Sequence, residues 1–457
     1  MNIRAFIAIA LCKALRLVSR LLNRGGTAMP GRWALRVCPE LLSILAKDVR
    51  TVVVTGTNGK TTSARIIEQA FEEAGLGCFA NRSGANLIDG ITTEYVMNCS
   101  LSGKPINGYA VIECDEGAAR RVFGQLKPKV VVVTNLFRDQ LDRFGEVTYT
   151  LESIREGLKA SPNTLLCLNA DCSLCSSLAT DLPNKAVYFG IDKGAVVSRE
   201  KPQQSDASHC IRCKNEYDYE YVNYGHLGGF YCKACGYRRQ AAHYAVVDVV
   251  EQLSDSSTVL MSIRGVKRLI SVNLPALYNV YNAAGALAAA VEMGIQPETA
   301  AKALASFKCG FGRMEQFDLG SCQGKMMLVK NPAGCNQVLE FLQNIKEKFV
   351  LVISLNDRTG DGKDISWIWD TQFELLCQLG GRLDKIAVAG DRAAEMVLRL
   401  KYAGIDMKYV TCIEDNDKLV QWMCSQDKNV FIMPTYSAML DIRQAIVRHR
   451  GGSNFWE

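Results

Sequence analysis

The run Thr55-Gly56-Thr57-Asn58-Gly59-Lys60-Thr61-Thr62 packs a cation, threonine hydroxyls and two glycines into eight positions. The apolar run Val52-Val53-Val54 precedes it, and Ser63–Ala70 reads as a helix. Strand, tight turn and helix N-terminus in that order make an anion cradle, with backbone N–H groups and the helix dipole aimed at one phosphate. Lys60 would reach the outer phosphates of ATP, and a Thr61 or Thr62 hydroxyl would ligate Mg²⁺. Gly56, Thr57, Asn58 and Gly59 complete the ATP-binding set. The general pattern G-x-x-x-x-G-K-[ST] asks for glycine at position 54, where this chain has Val54. That departure points away from the common GTPase and ATPase classes and toward the shorter loop G-T-x-G-K-[ST].

Four further groups of side chains have chemistry to offer. Glu113, with Asp115 and Glu116 behind it, directly follows the strand-like run ending Val111-Ile112, and would hold Mg²⁺ against a nucleotide. Asn135, Asp139 and Asp142 follow Val130–Thr134 in the same way. Asp357, Asp361 and Asp364 follow the apolar run Val350–Leu355, where a carboxylate could orient an amine or take its proton. Lastly, Cys210-x-x-Cys213 and Cys232-x-x-Cys235, with 18 residues between the pairs, have the spacing of a Cys₄ zinc ribbon, an insert spanning about 205–240. Four protein ligands close the coordination sphere, so the Zn²⁺ would be structural. Cys172-x-x-Cys175 has no second pair nearby and reads as an ordinary loop.

The elements that must position these groups alternate. Strands are predicted at Val52–Thr55, Tyr109–Glu113, Val130–Thr134 and Thr164–Asn169, with helices at Ala64–Ala74 and Glu152–Ala160. Short apolar runs alternating with helices argue for a mostly parallel α/β sheet, whose ligands sit at the carboxyl ends of the strands. One short helix is expected near Ala34–Ala46, and residues 279–304 read as strongly helical. A second α/β unit follows, with strands at Lys348–Leu355, Lys385–Gly390 and Asn429–Met433 and helices at Phe373–Leu379 and Ala393–Lys401. The expected division is a helical leader over 1–50, an ATP-binding domain over 51–312 and a C-terminal, Rossmann-like α/β domain over 313–457.

Composition narrows the class. The chain has 457 residues, 48% hydrophobic and 22% charged, which suits a soluble protein with an ample core. A net charge of +6 without a dense Lys/Arg block gives no case for nucleic acid. Eighteen scattered cysteines indicate a reducing compartment, hence the cytoplasm. Residues 3–22 repeat apolar side chains at helical spacing but carry Arg4, Lys13, Arg16 and Arg20, too interrupted for a span of about 20 apolar residues. A basic amphipathic helix at the inner face of the membrane and a helix packed on its own domain both fit.

Taken together, Gly56–Thr62, Glu113, Asn135, Asp139–Asp142, Asn169-Ala170-Asp171, Tyr278–Ala284 and Gly312-Arg313-Met314-Glu315 resemble the central ATPase domain of the Mur ligase family. The resemblance implies that Asn282 contacts adenine and Arg313 the phosphates. Gln140 stands where the family usually has histidine, and with the loop starting about fifty residues in, the family's UDP-gripping domain is not expected before it. The segments Lys330–Gln337 and Leu355–Asp370, the Cys₄ insert and Gly25–Gly31 resemble the branch formed by synthetase subunits of lipid II isoglutaminyl synthase. That resemblance implies ATP-dependent amidation of the D-glutamate α-carboxylate of the lipid II stem peptide through an acyl phosphate. It also implies a heterodimer with a GatD-like glutamine amidotransferase that supplies ammonia; the chain has only four histidines and no convincing glutaminase nucleophile. Lys60, Glu113, Asp357, Asp361 and Asp364 are then the catalytic candidates. The competing readings are an amino-acid ligase of the folylpolyglutamate synthetase or Mur type, and a non-catalytic ATP- or nucleic-acid-binding protein.

Overall fold

The computed structural model describes residues 3–21, 27–82, 84–138, 147–196, 206–308 and 313–451. These form two compact units that meet in sequence at Phe307 and Lys308, with Arg138 also belonging to the second. Asp139, Gln140, Asp142 and Gly312 lie outside the described residues, as does the side chain of Arg313.

In the first unit the strands are β1 Arg50–Thr55, β2 Cys78–Ala80, β3 Tyr109–Glu113, β4 Val130–Val133, β5 Leu165–Asn169, β6 Ala186–Ile191, β7 Asp218–Tyr224, β8 Leu227–Tyr231, β9 Tyr244–Gln252, β10 Ser257–Ile263 and β11 Val266–Val272. Nine of them make one sheet in the order β11-β10-β9-β6-β5-β4-β1-β3-β2, and β7 and β8 pair separately. The runs Val52–Val54 and Val130–Val133 are buried on both faces, as interior strands of a helix-covered parallel sheet must be. β1 lies between β3 and β4 in parallel register, with Val54 opposite Glu113 and Thr55 opposite Val133. The three strands therefore end level, and the segments that leave their carboxyl ends converge.

The sequence pattern did not reveal β9, β10 and β11, an antiparallel meander at one edge of the sheet. In β10 buried and half-buried residues alternate, the sign of a strand with one wet face. Two predicted helices are each divided. The stretch near Ala34–Ala46 is two helices, Met29–Val37 and Leu41–Ala46, because Pro39 forces Cys38 to be extended (φ −138°, ψ 91°). The stretch 279–304 is Leu277–Glu292 and Pro297–Ser306, broken where Gly294 takes φ 96° and Gln296 becomes extended ahead of Pro297.

The second unit holds β12 Arg313–Asp318, β13 Gln323–Met327, β14 Phe349–Ser354, β15 Leu383–Ala389, β16 Val410–Cys412 and β17 Val430–Pro434, in the order β12-β13-β17-β14-β15-β16. All pairs are parallel except β12–β13. From β14 the chain proceeds through β15 and β16 on one side and returns to β17 on the other. The resulting crevice at the strand carboxyl ends is where such sheets bind ligands. Phe373–Arg382 is a 3₁₀ segment rather than the predicted α-helix, with Gly380 out of helical conformation.

The helix Met29–Val37 packs on Ile88–Met97 at backbone distance. A Cβ on Gly31 would lie 1.9 Å from the Asp89 carbonyl oxygen, and the Gly31 N–H donates to Thr93 Oγ1 at 2.9 Å. Gly31→Leu should therefore separate the two helices and destabilise the first unit by about 1–3 kcal/mol, the usual range for overpacking. A denaturant titration checks this; an unchanged midpoint would show that the helices do not pack this closely.

Candidate active site and metal centre

Gly56 and Gly59 take φ 123° and 87°, a left-handed region that costs other residues strain, and both are hemmed in. A Cβ on Gly56 would meet Thr134 Oγ1 at 2.3 Å, and one on Gly59 would meet Asn282 Oδ1 at 1.9 Å. The turn is also laced to the end of β4. Asn58 N–H donates to Asn135 Oδ1 (2.9 Å), while Asn135 Nδ2 (3.0 Å) and Thr134 Oγ1 (2.7 Å) donate to the Asn58 carbonyl. Thr57 donates through Oγ1 to the Phe137 carbonyl at 3.1 Å and accepts from the Phe137 N–H at 3.0 Å. Such a turn is preorganised, with little freedom left to lose when an anion docks.

Lys60 opens the helix Lys60–Glu73 and is buried. Its ammonium donates to the Gly56 carbonyl at 2.6 Å and to Glu116 Oε1 at 2.9 Å. Burial works against the charge, but the Glu116 and Glu113 carboxylates outweigh it and hold the ammonium above the ordinary lysine range. Thr61 Oγ1 donates to Glu113 Oε2 at 2.7 Å, so a hydroxyl and a carboxylate meet at the helix start as oxygen donors suited to a hard divalent cation. Asn81 fixes Glu113 from behind: Oδ1 accepts the Glu113 N–H at 2.9 Å and Nδ2 donates to its carbonyl at 2.8 Å. Thr62 is buried in the same first turn, and Asn282 lies against Gly59.

The four cysteines form a cluster. The Cys210–Cys235 and Cys213–Cys232 sulfurs are 3.5 and 3.4 Å apart, and all four lie within 4.8 Å of one another. A tetrahedral ion with metal–sulfur bonds of about 2.3 Å has sulfurs about 3.8 Å apart, so the cluster fits one. Both knuckles repeat one turn. Cys210 N–H donates to the Asn215 carbonyl and Lys214 N–H to the Cys210 carbonyl; Cys232 N–H donates to the Tyr237 carbonyl and Gly236 N–H to the Cys232 carbonyl. Lys214 and Gly236 both have positive φ, 64° and 74°. Tyr217, Phe230 and Tyr237 pack beneath as a small core.

From this ribbon the β7–β8 hairpin reaches the phosphate turn. Phe137, which holds Thr57, stacks on Tyr224 at 5.8 Å and contacts the His226 ring at 4.6 Å. On the ribbon's other flank Asp171 is fully buried and accepts from Arg239 Nε (2.6 Å), Tyr281 OH (2.5 Å) and the Ile191 N–H (3.0 Å). Burial pushes the Asp171 carboxyl up, and Arg239 and Tyr281 pull it part of the way back. Cys172 and Cys175 flank the start of a short buried helix, Ser173–Ser177, and do not form the loop the sequence suggested. Cys172 Sγ lies 3.5 Å from His226 Nε2, and both residues are buried, closed to any substrate.

In the second unit the three carboxylates have different surroundings. Asp357 accepts from Arg392 at 2.7 Å, and that hydrogen bond and charge hold its carboxyl below the usual range. Asp361 is buried at the start of the helix Tyr436–Arg450, accepting from the Ser437 N–H at 2.7 Å, the Ser437 hydroxyl and the Arg358 N–H. Asp364 accepts from the Ser366 N–H at 2.8 Å, at the start of the 3₁₀ turn Ser366–Asp370. Beside them a cleft of about 350 Å³ is lined by Ser354, Asn356, Arg358, Asp391, Glu414 and Asp441, among others. Three carboxylates against one guanidinium suit a small amine better than a phosphate.

Comparison with known proteins decides the family. Residues 54–232 match the Mur ligase middle domain and residues 328–439 the MurT ligase C-terminal domain. The chain is 32% identical to the "Lipid II isoglutaminyl synthase (glutamine-hydrolyzing) subunit MurT" of Streptococcus pneumoniae (strain ATCC BAA-255 / R6), over 98% of both proteins. The chain belongs to the MurT family. A second family member, from Staphylococcus aureus (strain COL), is 33% identical over 89% of this chain and 90% of its own. The solved pseudomurein peptide ligase type C of Methanothermus fervidus shares the fold, with TM-score 0.65 and 21% identity over 88% of this chain and 79% of its own.

Within the MurT-family fold, Gly56–Thr62, Glu113 and Asn282 come together as the sequence suggested, and so do the four cysteines. Asn81 and Phe137 were not singled out, because each acts through tertiary contacts: no spacing joins Asn81 to Glu113 or Phe137 to Tyr224. Glu116, read from the sequence as one of the carboxylates for Mg²⁺, pairs with Lys60 instead. The ribbon's contact with Phe137 has a measurable consequence. An aromatic pair contributes about 0.5–1.5 kcal/mol, so Phe137→Ala should weaken ATP binding about two- to thirteenfold. Treatment with a chelator, which strips any metal that the four cysteines hold, should move the affinity the same way. Titration with a fluorescent nucleotide tests both, and unchanged affinity in either would show that the ribbon does not support the turn.

Proposed function

We propose that this chain is the synthetase subunit of a lipid II isoglutaminyl synthase, acting in peptidoglycan synthesis. The observation that carries the reading is the agreement with the S. pneumoniae subunit over 98% of both proteins, in a chain that keeps the complete phosphate turn. The enzyme is an ATP-dependent carbon–nitrogen ligase. The γ-phosphoryl group of ATP passes to the D-glutamate α-carboxylate of the stem peptide, releasing ADP. Ammonia attacks the acyl carbon, phosphate leaves, and a proton is lost to give the amide of D-isoglutamine.

The residues divide this work. Gly56–Thr62 hold the phosphates through backbone N–H groups, and Lys60 exchanges part of its Glu116 contact for the phosphoryl oxygens, where charge builds up in transfer. Mg²⁺, held by Thr61 and Glu113, would supply charge neutralisation between the phosphates. Asn282 braces Gly59 beside the nucleotide, and Arg313 adds a guanidinium for the phosphates. Asp357 faces the incoming ammonia, with Asp361 and Asp364 as positioning residues that fix the turn carrying it. Zn²⁺ in the Cys₄ cluster is structural. Ammonia comes from a GatD-like glutaminase subunit, consistent with the relatives' description as one subunit of a glutamine-hydrolysing enzyme. No helix among the described residues is long and apolar enough to cross a membrane, and the reading places the protein in the cytoplasm, meeting its lipid-linked acceptor at the inner face.

The deciding experiment incubates the purified chain with ATP, lipid II and ammonium, with and without a co-expressed glutaminase. Product about one mass unit lighter than lipid II, with ADP release, is expected; glutamine should replace ammonium only when the partner is present. Addition of a whole amino acid instead would overturn amidation in favour of an amino-acid ligase. Lys60→Ala and Asp357→Asn should each lower turnover by about 10²–10⁴-fold.

A pH profile separates the role of Asp357 from mere packing. Pairing with Arg392 depresses its pKa, so the carboxylate persists below the ordinary value of about 3.9 and is lost only as pH falls through that lower value. Arg392→Ala removes the pairing and raises the pKa, so the Asp357-dependent acid limb of kcat/KM should move to higher pH. An acid limb that stays in place would remove Asp357 from the reaction.

A further inference from the structure

The helix Ile3–Leu21 is built inside out for a helix that only packs on its own domain. The face it turns to the protein is small or slender, with Ala5, Ala8, Ile9, Cys12 and Ser19 all buried. Its large apolar residues point outward: Ile3, Phe6, Ile7, Leu17, Val18 and Leu21 are between 47% and 77% exposed. At about 100° per residue these six share one arc of about 120°, with Ala10 and Ala14 between them. On the same projection Arg4 borders one edge of the stripe, and Lys13 and Arg20 border the other. Lys13 is anchored by its ammonium on the Cys99 carbonyl at 2.7 Å, which fixes the helix about its own axis.

Neither this helix nor Met29–Val37, which packs against it, contains an acidic residue. The second helix adds exposed Met29 and Trp33, with the Arg36 guanidinium 4.6 Å over the indole ring. Isolated exposed apolar side chains need no explanation, but six on one arc of one helix do. The helix would be about 28 Å long, lying in a plane. An apolar stripe flanked on both edges by cations is the pattern of a helix seated in the headgroup layer, with its cations against lipid phosphates.

We infer that the exposed stripe of Ile3–Leu21 seats this protein on the surface of an anionic phospholipid bilayer. The occupant is favoured over another protein by charge: both edges of the stripe are positive, and anionic headgroups meet both at once. The seat holds the chain at the interface where a lipid-linked acceptor presents its peptide. It stands on the helix surface alone; only the acceptor arm of its test rests on the amidation reading.

The test is co-sedimentation of the full-length chain with vesicles. Phosphatidylcholine vesicles containing phosphatidylglycerol should bind it, and pure phosphatidylcholine should bind it far less. Phe6→Glu/Leu17→Glu places two charges on the stripe and should weaken binding by at least about tenfold, leaving the melting temperature unchanged because both side chains are exposed. Arg4→Glu/Arg20→Glu should abolish the preference for phosphatidylglycerol. Equal sedimentation of wild type and the Phe6/Leu17 variant, or no binding at all, overturns the seat. So does a vesicle-free dimer on gel filtration that the same variant dissolves, which would give the stripe to a second copy. In the acceptor arm, the variant should amidate vesicle-embedded lipid II more slowly and a water-soluble, nucleotide-linked acceptor at the wild-type rate. If neither acceptor is amidated by either protein, the functional reading fails while the vesicle data still decide the seat.

Discussion

A single buried carboxylate, Asp171, ties together the parts of the first unit that surround the phosphate turn. It receives Arg239 from beyond the second cysteine knuckle, Tyr281 from the helix Leu277–Glu292 and the backbone of Ile191 at the end of β6. Asn223 of the ribbon hairpin bonds Tyr281 OH at 2.8 Å, and the Gly228 N–H reaches the Asp171 carbonyl at 3.0 Å. A charge buried this deeply is tolerated only when fully paired, and removing one partner of such a pair costs about 3–5 kcal/mol. The network thus makes the ribbon's position and that of the Tyr281 helix one decision. Asn282 is the next residue on that helix, and it closes over Gly59.

The phosphate turn is consequently held from two directions. Asn282 presses on Gly59 from the helix, while Thr134, Asn135 and Phe137 bond Thr57 and Asn58 from the end of β4. Phe137 in turn leans on the ribbon. A cysteine cluster remote from the phosphate turn can therefore matter to nucleotide binding without touching it, through two aromatic contacts and one threonine. The Lys60–Glu116 pair fits the same logic. A buried lysine needs a counter-charge to stay protonated, and a carboxylate supplies one that a phosphate can replace.

What was legible in the sequence had short range. The turn Gly56–Thr62 could be read because glycine, lysine and threonine must sit at fixed offsets between a strand and a helix. The ribbon could be read because metal spacing is set by the knuckle. Interior strands announced themselves as unbroken valine runs. The edge meander β9–β11 was missed although Ser254-Asp255-Ser256 and Arg264-Gly265 mark its two turns. Pro39 and Pro297 should have divided two helices, since each forces the residue before it out of the helical region, yet the apolar content on both sides masked the break. Asn81 and Phe137 escaped for a different reason, and Asp171, named only within the segment Asn169-Ala170-Asp171, was given no role. Their partners lie far away in sequence, and only the sheet order brings them together.

The surroundings of Asp357 limit the chemistry it can perform in the proposed reaction. A carboxyl held below its ordinary range by Arg392 is a weak base, unable to generate ammonia from ammonium at neutral pH. Its charge can instead orient a neutral ammonia by accepting an N–H hydrogen bond. The proton need leave only after the carbon–nitrogen bond has formed, when the nitrogen of the adduct is strongly acidic. On this account the nucleophile must arrive already deprotonated. A neighbouring subunit that releases ammonia from glutamine meets that requirement, and a site of this kind working alone on ammonium would use only the small neutral fraction.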